Sequence, residues 1–322
     1  MLRLIALMLA IHFMIKANID LRANERMLTE LFRFHPLSST EFRWADLGIG
    51  LEQWQMKASG SKTPFSAEEA WHAYLCRSKF WPRFIRIGIL FILYFSFSVI
   101  IYRLFPPPLA PARGELAFQF DKVVIFLAAT GIMILTFYVV DAIQLNSNFI
   151  RMFGREITKW RRNVVAAHRM PPLTEEELSA YQEIFFVAQR TQVVAPLIWY
   201  PLIVLSLIFI ARSSFFDNWT WSVGLVIIFA LNAAWPIGSA MLLRRAAEQL
   251  RETTLSNLQL SRIKDRASEA KRETLDELIT EIRRLKKGAF APLTEQPFIH
   301  AILVPSGGLG LLALGQRLWD IF

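Results

Sequence analysis

The 322-residue sequence predicts an all-α, multi-pass membrane protein, with four transmembrane helices and a helical cytoplasmic domain assembled from discontinuous segments. Three observations predict it. Hydrophobic residues make up 54% of the chain against 20% charged, and mean hydropathy is +0.34. The apolar residues are gathered in blocks near the roughly 20 residues that a helix needs to cross a bilayer. Lysines and arginines crowd into alternate intervening segments, as expected where cytoplasmic flanks hold the positive charge. The net charge of +9 is read on that basis as a topology signal, and nucleic acid is the weaker reading of it.

The elements follow in order. The opening "MLRLIALMLAIHFMIK" has an uncharged core only from Leu4 to Ile15, too short to span. No small-x-small cleavage signal follows, so the segment reads as an amphipathic or buried helix, or an uncleaved surface anchor. Residues 1–83 are therefore expected in the cytoplasm as helices, the second capped by Ser66 with Glu69 three residues on. A first transmembrane hairpin occupies 84–141. Its helices are Phe84–Phe105, ended by "PPPLAP", and Val123–Val140, framed by Lys122 and Asp141.

Residues 142–190 form a basic cytoplasmic region. The stretch "FIRMFGREITKWRRNVV" sets apolar residues near period 3.6 against a basic face. Its Arg151, Arg155, Lys159, Arg161 and Arg162 are candidate contacts for anionic lipid. A capping signal opens "TEEELSAYQEIFFVAQR", which leads into a second transmembrane hairpin, 191–243. Its first helix, Thr191–Ala211, carries Pro196 and Pro201 and should kink; its second is Trp221–Leu243.

The segment 244–288 is helical by period, with Leu250, Leu258, Leu275, Leu278, Ile282 and Leu285 as its buried positions. A single straight helix would reach about 65 Å from the membrane. The alternative folds back near Lys264–Arg272, where apolar residues are almost absent. Gly288, following two lysines, is the expected helix cap. In the final segment, 289–322, residues 296–316 carry no Lys, Arg, Asp or Glu, so length permits a span. Pro305, Gly307, Gly308 and Gly310 interrupt it, and it is expected to dock or re-enter rather than cross. Both termini then lie in the cytoplasm, and the protein in a bacterial inner membrane.

Motifs for chemistry are sparse. The chain has no G-x-x-x-x-G-K-[ST] phosphate loop, no H-E-x-x-H zinc helix and no G-x-S-x-G elbow. The five histidines are scattered, and the single Cys76 rules out an internal disulfide. No catalytic residue, metal or cofactor is expected. Within the four spans no carboxylate occurs; Asn232 is the candidate intramembrane polar contact, expected to bond across to a neighbouring helix. The expected function is non-enzymatic: a membrane-anchored scaffold, sensor or effector working through its cytoplasmic helices. The alternative is an oligomeric channel, pore or transporter, resting on the kinked third helix and Asn232. The expected partners are the bilayer, a soluble or membrane protein, and further copies of the chain.

Overall fold

Long apolar runs leave the backbone no better hydrogen-bond partner than its own helix. In the computed structural model every regular element among the described residues is helical. Those residues are 2–35, 66–106, 114–153, 160, 173–211, 223–264 and 269–292. In chain order the helices are α1 (Leu2–Leu31), α2 (Ala67–Ser78), α3 (Phe80–Leu104), α4 (Glu115–Phe153), α5 (Glu175–Val194), α6 (Trp199–Ala211), α7 (Val223–Lys264) and α8 (Glu269–Arg284). One short 3₁₀ turn, Ala195–Ile198, joins α5 to α6, and another, Gly288–Phe290, follows α8. The expected C-terminal break at residues 296–316 lies outside the described residues.

Five helical stretches are long and apolar enough to cross a membrane: Leu2–Leu31, Phe80–Leu104, Lys122–Phe153, Glu175–Ala211 and Val223–Ile263. Four contain the segments singled out in the sequence. The addition is α1. Counting uncharged residues alone stops at Lys16, but the helix continues, and between Leu2 and Ile19 it carries only Arg3 and Lys16. Long basic stems of this kind can reach toward an interface while their methylenes stay in the apolar layer.

The side-chain pairings give the direction of each helix. Along α1, Leu7 and Ala10 face Gly131 of α4, and Asn18 meets Tyr138. Residue numbers rise together, so α1 and α4 are parallel. Along α3, Arg83 pairs with Asp141 and Phe95 with Phe126, so α3 runs opposite to α4. The stretch α5–α6 runs opposite to α1: Phe13 stacks on Tyr200, while Phe32 meets Phe186. Finally, α7 is parallel to α4, with Thr136 bonded to Asn232 and Ser147 to the Leu242 carbonyl. Hence α1, α4 and α7 point one way and α3 and α5–α6 the other. One end of the bundle holds α2, α8 and the extended tail of α7.

That end has its own aromatic packing. Trp71 stacks on Tyr74 with ring centroids 5.0 Å apart and takes Phe186 edge-on at 5.2 Å. Phe32, Phe149 and Phe153 complete the cluster. These rings are continuous with the apolar core between the long helices. Local signals explain the helix starts unevenly. Thr174 and Glu177 form a reciprocal capping box at α5. Ser66 stands at the N-cap position of α2, but its side chain makes no capping bond. Of the two prolines of Glu175–Ala211, Pro196 lies in the 3₁₀ turn where α5 tightens and Pro201 in the first turn of α6, which needs no amide donor there.

Beyond Lys264 the chain folds back. Helix α8 returns alongside α7, tied by Arg262–Asp276 at 2.7 Å, and meets α5 through Lys271–Glu177 at 3.3 Å and Tyr181–Glu281 at 2.7 Å. Leu250, Leu258, Leu275, Leu278 and Ile282 are buried, and Leu285 is half-buried. The cap expected at Gly288 is displaced, since α8 ends at Arg284. Gly288 instead has φ +60° and seats the following turn on α5, where the Ala289 amide donates to Thr191 Oγ1 at 2.9 Å. A methyl on Gly288 would meet Thr191 Oγ1 and lie 2.7 Å from the Gln192 nitrogen. Gly288→Ala should therefore cost at least about 1 kcal/mol, from the left-handed backbone alone. The clash adds to that cost. The check is a lower melting temperature in detergent, and an unchanged one would refute the seating.

Candidate functional site

Helix α1 changes character along one face. Leu4, Met8, Ile11, Ile15 and Ile19 are exposed on it, and residues at these spacings share a side of the helix. Continuing down the same face come Arg22, Arg26 and Thr29, and Arg33 follows past the end of the helix. Opposite this lower half sits the junction of α2 and α3, with Leu75, Ser78, Lys79, Phe80 and Arg83. Between them lies a cleft of about 780 Å³. It brings together five cations, Arg22, Arg26, Arg33, Lys79 and Arg83, against two carboxylates, Glu25 and Glu30.

The floor of the cleft is a buried polar network with two centres. The first is Arg190 of α5, 1% exposed. Its Nε donates to Asn146 Oδ1 of α4 at 2.9 Å. Its Nη1 donates to Asn24 Oδ1 at 2.7 Å and to the Leu21 carbonyl at 3.5 Å, both on α1. Its Nη2 donates to Glu25 Oε1 at 3.2 Å and to Tyr74 Oη of α2. A guanidinium has five N–H donors, and all five are taken. The cation also sits 5.1 Å from the centroid of the Tyr74 ring. Burial raises the pKa of the Tyr74 phenol, and the nearby Arg190 charge partly offsets this. The hydroxyl therefore stays protonated well past neutral pH.

The second centre is Asp141 of α4, which receives two arginines from α3. Arg86 forks onto it, Nε to Oδ1 at 2.6 Å and Nη2 to Oδ2 at 3.1 Å. Arg83 Nε reaches Oδ2 at 3.0 Å, and its Nη1 donates to Tyr138 Oη at 3.0 Å. Tyr138 Oη in turn donates to Asn18 Oδ1 at 3.4 Å. Asn18, Glu25 and Arg83 thus belong to both the network and the cleft wall.

Of the residues singled out in the sequence, Asn232 is buried in the bundle, with Thr136 Oγ1 donating to its Oδ1 at 2.8 Å. Arg151 is half-buried near the end of α4, away from the cleft lining. Arg155, Lys159, Arg161 and Arg162 lie outside the described residues. The sequence reading counted Arg190 only as a loop cation and missed the cleft. The signal was present as the spacing Asn18, Arg22, Glu25, Arg26, Thr29, one helix face that turns from apolar to polar below Ile19. Among the described residues no three His, Cys, Asp or Glu side chains group as metal ligands would.

Replacing Arg190 by Met should leave Glu25 as an unpaired, half-buried anion and strand Asn24 and Asn146. Removing one partner of a buried pair costs about 3–5 kcal/mol. The expected result is a large loss of folded protein by fluorescence-detected size exclusion, partly restored when Glu25→Gln is added. Equal yields of Arg190→Met and the wild type would refute the central role of this cation. Compared with protein-family models, curated proteins and solved structures, the chain finds no match in any of the three.

Proposed function

We propose that the chain is a bacterial inner-membrane protein that acts non-enzymatically, as a scaffold or sensor whose cytoplasmic helices bind a partner protein. The observation that carries this reading is the length and continuity of α4 and α7. They have 39 and 42 residues, about twice what a bilayer crossing needs. Each runs as one helix from the apolar bundle to the end that holds α2 and α8, α7 with Pro236 inside it. A continuous helix with one half in lipid and one half in a packed cytosolic layer can carry displacement from one to the other.

Orientation follows from charge. Arg77, Lys79, Arg83, Arg86, Arg151, Arg190, Arg244 and Arg245 all lie toward the end that holds α2 and α8. The positive-inside rule assigns that end to the cytoplasm. Because α1 is parallel to α4, its Leu2 end then lies outside, and the chain crosses five times. The sequence reading, with four crossings, had placed the N-terminal end in the cytoplasm.

Polar groups within the spans close on one another. Asn232 pairs with Thr136, Tyr94 donates to the Ile228 carbonyl at 2.6 Å, and Ser98 and Ser206 bond to carbonyls one turn back. This favours packing contacts over a conducting path. Toward the far end of the α7–α8 hairpin, Leu260 and Ile263 are 50% and 77% exposed, and this exposed apolar pair supports a partner surface there.

Two measurements check the reading. Reporter fusions ahead of Leu2, at Pro108 and at Ser214 should read periplasmic, and those at Gly60, Arg162 and Gly288 cytoplasmic. A cytoplasmic signal ahead of Leu2, with the others unchanged, returns the count to four. A soluble protein should co-purify with the wild type and be lost with Leu260→Asp/Ile263→Asp, while reconstituted protein leaves liposome ion flux at the empty-vesicle rate. Flux above that rate would favour the pore reading.

A further inference from the structure

We propose that the cleft between α1 and the α2–α3 junction holds the phosphate headgroup of an acidic phospholipid from the cytoplasmic leaflet. This rests on the membrane placement proposed above. The first argument is position. On α1 the exposed row Met8, Ile11, Ile15 and Ile19 is apolar, with exposed His12 and Lys16 at its flank, and exposed Arg22 and Arg26 continue it. On α3 the same boundary appears as Lys79 followed by Phe80, Trp81 and Phe84, which are 61%, 64% and 56% exposed. Exposed aromatic residues next to a basic residue mark the level of lipid headgroups. Both walls of the cleft therefore change character at one depth, and the cleft opens there.

The second argument is the chemistry of the lining. Its hydroxyls are turned inward: Thr29 donates to the Glu25 carbonyl at 2.7 Å and accepts from Trp71 Nε1, and Ser78 donates to the Leu75 carbonyl at 3.0 Å. What the rim offers a ligand is charge. Arg22 and Arg26 are exposed one turn apart, and a guanidinium fork matches two oxygens of a phosphate. Glu25 already faces Arg190, so it subtracts little from the rim. Basic recesses between membrane helices on the cytoplasmic side suit such headgroups.

The third argument is the lane for the acyl chains. The row Met8, Ile11, Ile15 and Ile19 leads along α1 from mid-bundle directly to Arg22. A soluble phosphate would have no use for this row; a diacyl lipid would lie against it while its headgroup enters the cleft.

The test uses the full-length protein in detergent, with native mass spectrometry of bound lipid. The probes are phosphatidylglycerol, phosphatidylcholine as a zwitterionic control, and glycerol 3-phosphate as a soluble competitor. The wild type should retain phosphatidylglycerol over phosphatidylcholine. Arg22→Gln/Arg26→Gln should weaken retention roughly 30-fold, as expected from the loss of two surface cations. Arg22→Lys/Arg26→Lys should stay within a few-fold of the wild type. Arg245→Gln, an exposed cation outside the cleft, should leave retention unchanged. Millimolar glycerol 3-phosphate should not displace the lipid. Equal losses in the Arg22/Arg26 and Arg245 variants would overturn the site. Full displacement by glycerol 3-phosphate would assign it to a soluble anion and overturn the lipid. Either result with the fusion reporters unchanged sinks the site alone, whereas a periplasmic reading at Gly60 sinks the membrane placement beneath it.

Discussion

A single guanidinium holds the basic end of this molecule together. Arg190 is buried among four helices, and a charge in that position survives only if its donors are matched. The acceptors come from α1, α2 and α4, so satisfying Arg190 fixes where those three elements stand relative to α5. Only one of the acceptors, Glu25, carries charge. The rest are amide, carbonyl and hydroxyl oxygens, whose positions are set by backbone and ring packing. The aromatic cluster of Trp71, Tyr74 and Phe149 sits directly against this centre and excludes water from it.

The Asp141 centre has the opposite balance, one carboxylate shared by two arginines. Together the two centres set the field of the cleft. Glu25 and Asp141 are drawn inward by their own cations, so the outward-facing rim keeps a positive excess. The network that stabilises the fold and the basic rim of the cleft meet through shared side chains, while Arg22 and Arg26 belong to the rim alone. This is why Asn18, Glu25 and Arg83 serve as floor to one and as members of the other.

Much of the architecture was legible in sequence, for a simple reason. Apolar runs between Arg86 and Arg103, or between Lys122 and Asp141, have one stable arrangement in lipid, and composition alone reveals it. The buried leucines of the α7–α8 hairpin followed from helical period. Helix α1 was under-read because Lys16 ended the count of uncharged residues, although its long stem can reach toward an interface. Arg190 was invisible as a buried group because a cation beside a membrane segment looks like every other topology marker. Its role depends on Asn24, Tyr74 and Asn146, each distant in sequence, and periodicity carries no information about such pairs. Gly288 was recognised as a special position for the right backbone property and assigned the wrong task. The need for a left-handed residue is local, but the surface it docks against is not.

The separation between Arg190 and its partners has a bearing on biogenesis. Glu25 and Asn24 leave the ribosome 165 and 166 residues before the cation that completes them. During that interval α2 and α4 can already hold the lower half of α1, through Trp71 on Thr29 and Tyr138 on Asn18, while Asn24 and Glu25 still lack their cation. A chain halted before α5 would leave the Glu25 carboxylate without the Arg190 cation and the aromatic cluster without Phe186. The buried polar contacts of α1 are thus completed only on synthesis of α5, a helix that the early part of the chain does not contain.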